Sequence, residues 1–118
     1  GRFLGSASAY LRRAAAASGG SWRIVWCAGA GVVSTPAEAL AHETALGRRV
    51  AERLAALLSG ESSLAASGAV FIASSAGGIY SASPASPPYH EWSPTGCLAA
   101  YGREKLEQEA LWEAFARA

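Results

Sequence analysis

Tyr101 and Lys105, four positions apart in the stretch YGREK, are the residues whose types and spacing best suit chemistry. Side chains at positions i and i+4 share one face of a helix, about 6 Å apart. A phenol becomes a base near neutral pH when its phenolate form is stabilised, and a nearby ammonium group does this. The pair is therefore a candidate for removing a proton from a hydroxyl group. The structural alternative is a half-buried tyrosine beside a solvated lysine.

Two serines end a short apolar run that precedes this pair. Residues 69–74 (AVFIAS) predict a strand covered on both faces, and Ser74 and Ser75 lie at its end. A long loop over about residues 76–96 follows and holds all but one of the five prolines. Because loops of this length are more often functional than idle, the strand end and the loop join the tyrosine-bearing helix in the candidate site.

The first helix and the first strand come before this segment. Alanine-rich residues 6–18 predict a helix with Ser6 as its N-cap and Gly19-Gly20 as its stop. Residues 22–27 (WRIVWC) are rich in β-branched and aromatic side chains. They predict a strand that runs into a glycine turn, AGAG.

A longer helix follows the turn. Thr35 as N-cap, Pro36 at the first helical position and Glu38 three residues after the cap predict its start. Residues recurring at spacings of three and four predict its buried stripe: Leu40, Thr44, Gly47, Ala51, Leu54 and Leu58. The glycine in this stripe costs some stability and allows close packing. The polar connection over residues 59–68 predicts one helical turn at most.

The last predicted helix, over about residues 98–116, carries the candidate pair. Its apolar and functional residues fall on one side: Tyr101, Lys105, Gln108, Trp112 and Phe115. The pattern α-β-α-β-loop-α predicts an α/β fold with a parallel sheet and helical crossovers. A doubly wound sheet uses about six strands, so two strands predict only the central portion of a larger domain.

These motifs together resemble one enzyme family. They are a strand ending in two serines, then GGIY, a proline-rich loop with Glu91 three residues before Pro94, and YGxxK with Glu107 after it. This order resembles the active-site segment of the extended short-chain dehydrogenase/reductase family. The likeness is greatest to its NAD-dependent nucleotide-sugar epimerases of the UDP-glucose 4-epimerase type. From Trp22 onward it covers about four-fifths of the chain.

The resemblance implies a Rossmann-type parallel sheet with flanking helices and a role for each matched residue. Tyr101 would remove a proton from a sugar hydroxyl while a hydride passes to NAD, and the use of NADP stays open. Lys105 would bind the cofactor's ribose and stabilise the tyrosinate. Ser75 would hydrogen-bond the reacting oxygen, with Ser74 as the other candidate for this role and as a cofactor contact.

The turn after the first strand is a further cofactor contact that the resemblance implies. Cys27-Ala28-Gly29 matches the end of the family's fourth strand, whose backbone lies close to the cofactor's ribose and phosphate region. An ordinary glycine turn is the alternative. Gly29-Ala30-Gly31 also resembles a dinucleotide fingerprint, but Ser34 occupies the third glycine position and the next strand ends in serines, not in an acidic residue.

Two departures from the family bear on the reaction. Relative to Tyr80, the position expected for the catalytic hydroxyl falls on Ala76, one residue after Ser75. We expect the extra glycine of the following turn to shift the loop so that Ser75 reaches the reacting oxygen. The dehydratase branch carries an Asp-Glu pair where this chain has glycines, so the resemblance implies epimerisation. The alternative is an NAD(P)H-dependent ketone reductase of the same superfamily.

The sequence contains neither the glycine-rich first βαβ unit nor the C-terminal lobe that would hold the sugar nucleotide. We therefore expect residues 1–118 to be part of an NAD(P)-binding domain, and the 118-residue chain alone to be inactive. A non-catalytic fragment that serves as a binding or structural module is the remaining alternative.

Composition limits the partners and the setting. The chain is 51% hydrophobic and 16% charged, as globular domains are, and its net charge of +1 gives no electrostatic case for nucleic acid. No apolar run reaches the ~20 residues of a membrane helix. Cys27 and Cys97 have neither CxxC nor metal-ligand spacing, so we expect reduced thiols, no metal and a cytoplasmic protein. The expected partner is a nucleotide sugar, and the resemblance also admits a homodimer through the tyrosine-bearing helix.

Overall fold

Helices and strands follow one another in the order that the sequence predicts. The computed structural model describes residues 2–118, apart from the side chains of residues 2–5 and 8. The elements are α1 (Arg2–Ala17), β1 (Trp22–Trp26), α2 (Ala37–Leu58), α3 (Ser62–Ala66), β2 (Gly68–Ile72), α4 (Ala76–Ile79) and α5 (Ala100–Arg117). The short helix α4 forms the start of the long loop and was not predicted.

The two strands β1 and β2 form a parallel pair. Their register runs from Trp22 opposite Gly68 to Trp26 opposite Ile72. The ladder continues past the strands, because the Ala73 N–H donates to the Trp26 carbonyl at 3.0 Å. The structure is therefore a mixed α/β arrangement in which helices flank a parallel sheet, as predicted, and this sheet has two strands within residues 2–118.

One face of this sheet is covered by helices. Ile24 and Trp26 of β1 pack on the same core as Val70 and Ile72 of β2, since alternate residues of a strand share a face. The buried core residues come from α1, β1, α2 and α5: Leu11, Ala15, Trp22, Ala51, Leu54, Leu58 and Trp112. The rings of Trp26 and Trp112 lie 5.7 Å apart, which joins β1 directly to α5.

The opposite face of the sheet is exposed, and this corrects one prediction. Val25 and Phe71 lie opposite each other in the register and are 65% and 63% exposed. The continuous apolar run around β2 predicts burial on both faces. That prediction is wrong for the described residues because their helices pack on the other face, where the core lies.

Helix α2 has the buried stripe that its spacing predicts, residue for residue. Its start differs. Pro36 is the N-cap, and no side chain caps the helix. Thr35 Oγ1 instead accepts a hydrogen bond from the Val32 N–H at 2.9 Å, within the preceding turn. The prediction of Thr35 as N-cap is therefore wrong, because the turn already uses its hydroxyl.

Helix α1 begins at Arg2, so Ser6 lies inside the helix and the prediction of Ser6 as N-cap is wrong. The predicted end is confirmed. Gly19 and Gly20 follow the helix with φ angles of 69° and 101°, a conformation that glycine adopts without strain.

Helix α5 carries the candidate pair and packs against α2. It begins at Ala100, two residues later than predicted, and buries Gly102, Gln108 and Trp112. Among residues 2–118, neither this helix nor any other combines the length and the apolar character that a membrane span requires.

Candidate active site

The carboxyl ends of β1 and β2 lie side by side. The hydrogen bond from Ala73 to Trp26 brings the residues that follow each strand to the same edge of the sheet. Cys27 therefore lies at this edge directly after β1, and Ser74 lies at the same edge just after β2. In open α/β sheets, ligands bind at the carboxyl ends of the strands. The candidate site is located at this edge.

Tyr101 and Lys105 share one face of α5 beside this edge. Lys105 Nζ lies 5.6 Å from the centroid of the Tyr101 ring. The same ammonium donates to the Ala73 carbonyl at 3.3 Å and to Gln108 Oε1 at 3.4 Å. Both side chains are half-buried. The lysine is thus tied to the end of β2 and is not a freely solvated surface group.

Ser75 is the N-cap of α4. Its Oγ accepts a hydrogen bond from the Gly78 N–H at 3.2 Å. A hydroxyl group has one donor and two acceptor positions, so the Ser75 proton stays available for another oxygen. A Cβ added at Gly78 would lie 3.2 Å from Tyr101 Cδ1 and 3.3 Å from Ser75 Oγ. Ser75 and Tyr101 therefore flank the same small space at Gly78.

Ser74 and Ala76 have different surroundings from Ser75. The Ser74 hydroxyl donates to the Glu109 carboxylate on α5, and the Ser74 side chain is exposed. Ala76 is the first residue of α4, so the capped turn brings the preceding serine toward Tyr101. Of the two candidate serines, Ser75 is the one that the fold brings to the tyrosine, while Ser74 anchors the strand end to α5.

Two glycines bring α4 and α5 together. They belong to the GGIY and YGxxK motifs, but their contact with each other was not predicted. A Cβ added at Gly102 would lie 2.3 Å from the Gly78 carbonyl oxygen, so the two backbones touch. Both glycines are buried. Their close approach brings Ser75 near Tyr101. The sequence feature that could have indicated this contact is the glycine directly after Tyr101, because glycine is otherwise unfavourable inside a helix.

The turn after β1 is built around a carboxylate from α2. Cys27, Ala28 and Gly29 are exposed, and the Ala30 N–H donates to Glu43 Oε1 at 2.8 Å. Gly29 has a φ of 131°, and a Cβ there would lie 2.7 Å from Glu43 Oε2. Glycine suits this position because other residues rarely adopt such a φ. The resemblance does not indicate the carboxylate of Glu43.

The long loop closes on itself above α4. Tyr80 donates from its hydroxyl to the His90 carbonyl at 3.0 Å, and its ring stacks on Tyr89 with centroids 4.7 Å apart. Ser83 Oγ donates to the Pro94 carbonyl at 2.6 Å. Trp92 is 85% exposed at the loop surface. The loop is therefore held together by its own hydrogen bonds and by the stacking of its aromatic rings.

These contacts gather a phenol, an ammonium group and a hydroxyl at one end of a parallel sheet. Such a set can remove a proton from a bound hydroxyl group and hydrogen-bond its oxygen. No family model, curated protein or solved structure matches the chain. The family assignment that the sequence implies therefore stays a prediction. The roles proposed for Tyr101, Lys105 and Ser75 are supported by their geometry and by no comparison.

Proposed function

We propose that this chain carries the catalytic segment of an NAD-dependent epimerase of nucleotide sugars, built on a Rossmann-type sheet. The observation that supports it most is the convergence of three side chains. Lys105 is bound to the Ala73 carbonyl and lies 5.6 Å from the Tyr101 ring, while Ser75 Oγ and the Tyr101 ring flank the same space at Gly78. A phenol with an ammonium group and a hydroxyl donor suits the transfer of a proton from an alcohol.

The residues at the sheet edge suit the binding of a ribose of NAD. Two of the three N–H donors of Lys105 have protein acceptors, which leaves one donor for a ribose hydroxyl. The exposed backbone of Cys27-Ala28-Gly29 lies at the same sheet edge. The Glu43 carboxylate beside this turn would repel a phosphate and would accept a hydrogen bond from a hydroxyl. We therefore assign a ribose to this turn.

The chemistry that NAD would supply when bound is removal of a hydride from the sugar carbon and its return to the opposite face of that carbon, after the keto sugar has rotated. The chain's own residues handle the proton and the oxygen. Tyr101 takes the proton from the sugar hydroxyl and returns it in the reverse step. Ser75 donates its hydroxyl proton to the same oxygen as a hydrogen bond. Lys105 contributes a positive charge beside the Tyr101 ring.

Replacing Tyr101 by phenylalanine in the protein expressed from its full reading frame tests the proposal. Removal of a general base lowers the rate by about 10²–10⁴-fold. We expect a loss of this size in epimerisation, measured by exchange between the two sugar-nucleotide epimers, with an unchanged unfolding midpoint. Tyr10→Phe on α1 is the matched control, because Tyr10 is 63% exposed. Full activity in Tyr101→Phe contradicts the proposed base.

The cofactor balance separates the epimerase from the reductase. An epimerase keeps its NAD, so the purified protein should retain the cofactor's absorbance and epimerise without added NAD. Stoichiometric consumption of NADPH with a ketone would instead identify a reductase. Absence of both activities, together with no retained cofactor, would favour a non-catalytic binding or structural module.

A further inference from the structure

A line of hydrogen bonds runs from Lys105 into the contact between α2 and α5. Lys105 Nζ donates to Gln108 Oε1 at 3.4 Å. Gln108 Nε2 then donates to Thr44 Oγ1 at 3.2 Å. Thr44 Oγ1 in turn donates to Glu104 Oε2 at 2.6 Å. Every bond therefore points the same way, from the ammonium group to the carboxylate.

The two middle residues of this line of hydrogen bonds, Thr44 and Gln108, are held in place by burial and by their partners. Thr44 and Gln108 are each 7% exposed and come from different helices. Buried polar groups without partners are costly, so the Gln108 amide cannot turn over without leaving its own N–H and the Thr44 oxygen unpaired. The orientation of the amide is therefore set by α2, and its oxygen is held toward Lys105.

Lys105 has a second anchor on the strand. Its Nζ donates to the Ala73 carbonyl at 3.3 Å. A lysine side chain otherwise rotates about four bonds, and its ammonium can point in many directions. With Ala73 and Gln108 as fixed acceptors, the ammonium is held at the carboxyl end of β2, and one N–H donor is left over. An amide is neither an acid nor a base near neutral pH, so the line orients the ammonium and does not relay protons.

We propose that Gln108 and Thr44 are positioning residues that hold the Lys105 ammonium at the sheet edge beside Tyr101. Gln108 acts directly, as the acceptor for Nζ, and Thr44 acts through Gln108. The holding of Lys105 is independent of any ligand. The further inference that the remaining N–H of Lys105 binds a ribose hydroxyl rests on the proposed function.

Lysine labelling tests the holding directly, because Lys105 is the only lysine in the chain. Protein made with lysine carrying ¹³C at Cε gives one side-chain signal in NMR. In a held side chain the two diastereotopic Hε protons have clearly different shifts, whereas in a freely rotating side chain the two shifts nearly coincide. We expect two shifts in the wild-type chain and one in Gln108→Met, which keeps the length and removes the amide. Acylation of Lys105, followed by mass spectrometry, should become about tenfold faster in this variant.

A matched pair at Thr44 separates positioning from stability. Thr44→Val removes the hydroxyl at nearly constant volume and should free Lys105 as Gln108→Met does. Thr44→Ser keeps the hydroxyl and should restore the two Hε shifts. Leu54→Ala loses packing in the buried core without touching the line, so a folded Leu54→Ala should keep a held lysine. If Gln108→Met does not fold by circular dichroism, the comparison of Thr44→Val with Thr44→Ser decides the question.

Two results overturn the inference. One is a single averaged Hε shift in the folded wild type. The other is a pair of Hε shifts and an acylation rate that stay unchanged in folded Thr44→Val or Gln108→Met. The NMR signal of Lys105 in this chain tests the positioning. Retained cofactor and epimerisation in the protein expressed from its full reading frame test the proposed function, so the two failures are distinguishable.

Discussion

Replacing Gly102 by alanine should separate α4 from α5 at the point where Ser75 meets Tyr101. The added Cβ would lie 2.3 Å from the Gly78 carbonyl oxygen and 2.8 Å from its carbon. Close carbon–oxygen contacts in proteins are about 3.3–3.6 Å, so the helices must move apart by about 1 Å. The neighbour is backbone and cannot rotate away, unlike the tip of a side chain. The added methyl group therefore disrupts the backbone contact between α4 and α5 at the candidate site.

The size of the effect follows from two opposing contributions. Overpacking by one methyl group costs about 1–3 kcal/mol. Alanine in place of glycine in a helix stabilises by up to about 1 kcal/mol. Gly47→Ala is the matched control, because a Cβ at Gly47 meets Leu111 Cδ2 at 3.7 Å, an ordinary contact. The gain in helix propensity largely cancels between the two variants, so Gly102→Ala should unfold about 1–3 kcal/mol more easily than Gly47→Ala.

Urea unfolding followed by circular dichroism measures this difference through the shift of the midpoint at constant slope. Gly77→Ala on α4 is a second control, since nothing lies within 4 Å of a Cβ added there. A displacement of about 1 Å in a catalytic group costs up to about 10²-fold in rate. In the protein expressed from its full reading frame, epimerisation should therefore fall in Gly102→Ala and persist in Gly77→Ala. A Gly102→Ala protein as stable as Gly47→Ala would refute the close contact between the two helices.

Two further predictions concern the core and the exposed sheet face. Trp22→Phe should be less stable than Trp112→Phe by about 2 kcal/mol in urea unfolding. Trp22 Nε1 donates to the Leu64 carbonyl at 2.8 Å, while the buried Trp112 Nε1 has no partner among the residues that the structure describes. Equal midpoints for the two variants would contradict this. Replacing Val25 and Phe71 together by threonine should raise the solubility limit and change the free energy of unfolding by no more than about 0.5 kcal/mol, because both side chains are exposed and threonine favours strands. A large loss of stability in that double variant would indicate that these side chains are covered.

Local periodicity was sufficient to locate α2 and α5, but not the short helix α4 that Ser75 caps. The buried stripe from Leu40 to Leu58 agrees with the predicted set because helix geometry repeats every 3.6 residues, whatever lies opposite. The spacing of Tyr101 and Lys105 has the same origin, since four positions along a helix always return to one face. The parallel pairing of the strands followed from their alternation with helices.

The starts of the helices were less predictable, because a polar side chain near a helix can form a hydrogen bond with any of several partners. Thr35 has the side chain of an N-cap residue, but its hydroxyl accepts from Val32 in the turn. Capping residues and turn residues share the same chemistry, so the sequence pattern alone does not separate the two uses.

The amino-acid sequence therefore determined which residues could do chemistry and which face of each helix they share. Tertiary structure decided which of them meet. Thr44 and Gln108 are 64 positions apart, and their hydrogen bond exists only because α2 packs on α5. The contact between Gly78 and Gly102, which brings Ser75 to Tyr101, likewise joins two separate helices. Exposure of Phe71 depends on which face the helices cover. Local rules carry no information about such partners, because these contacts form between segments that are distant in the chain.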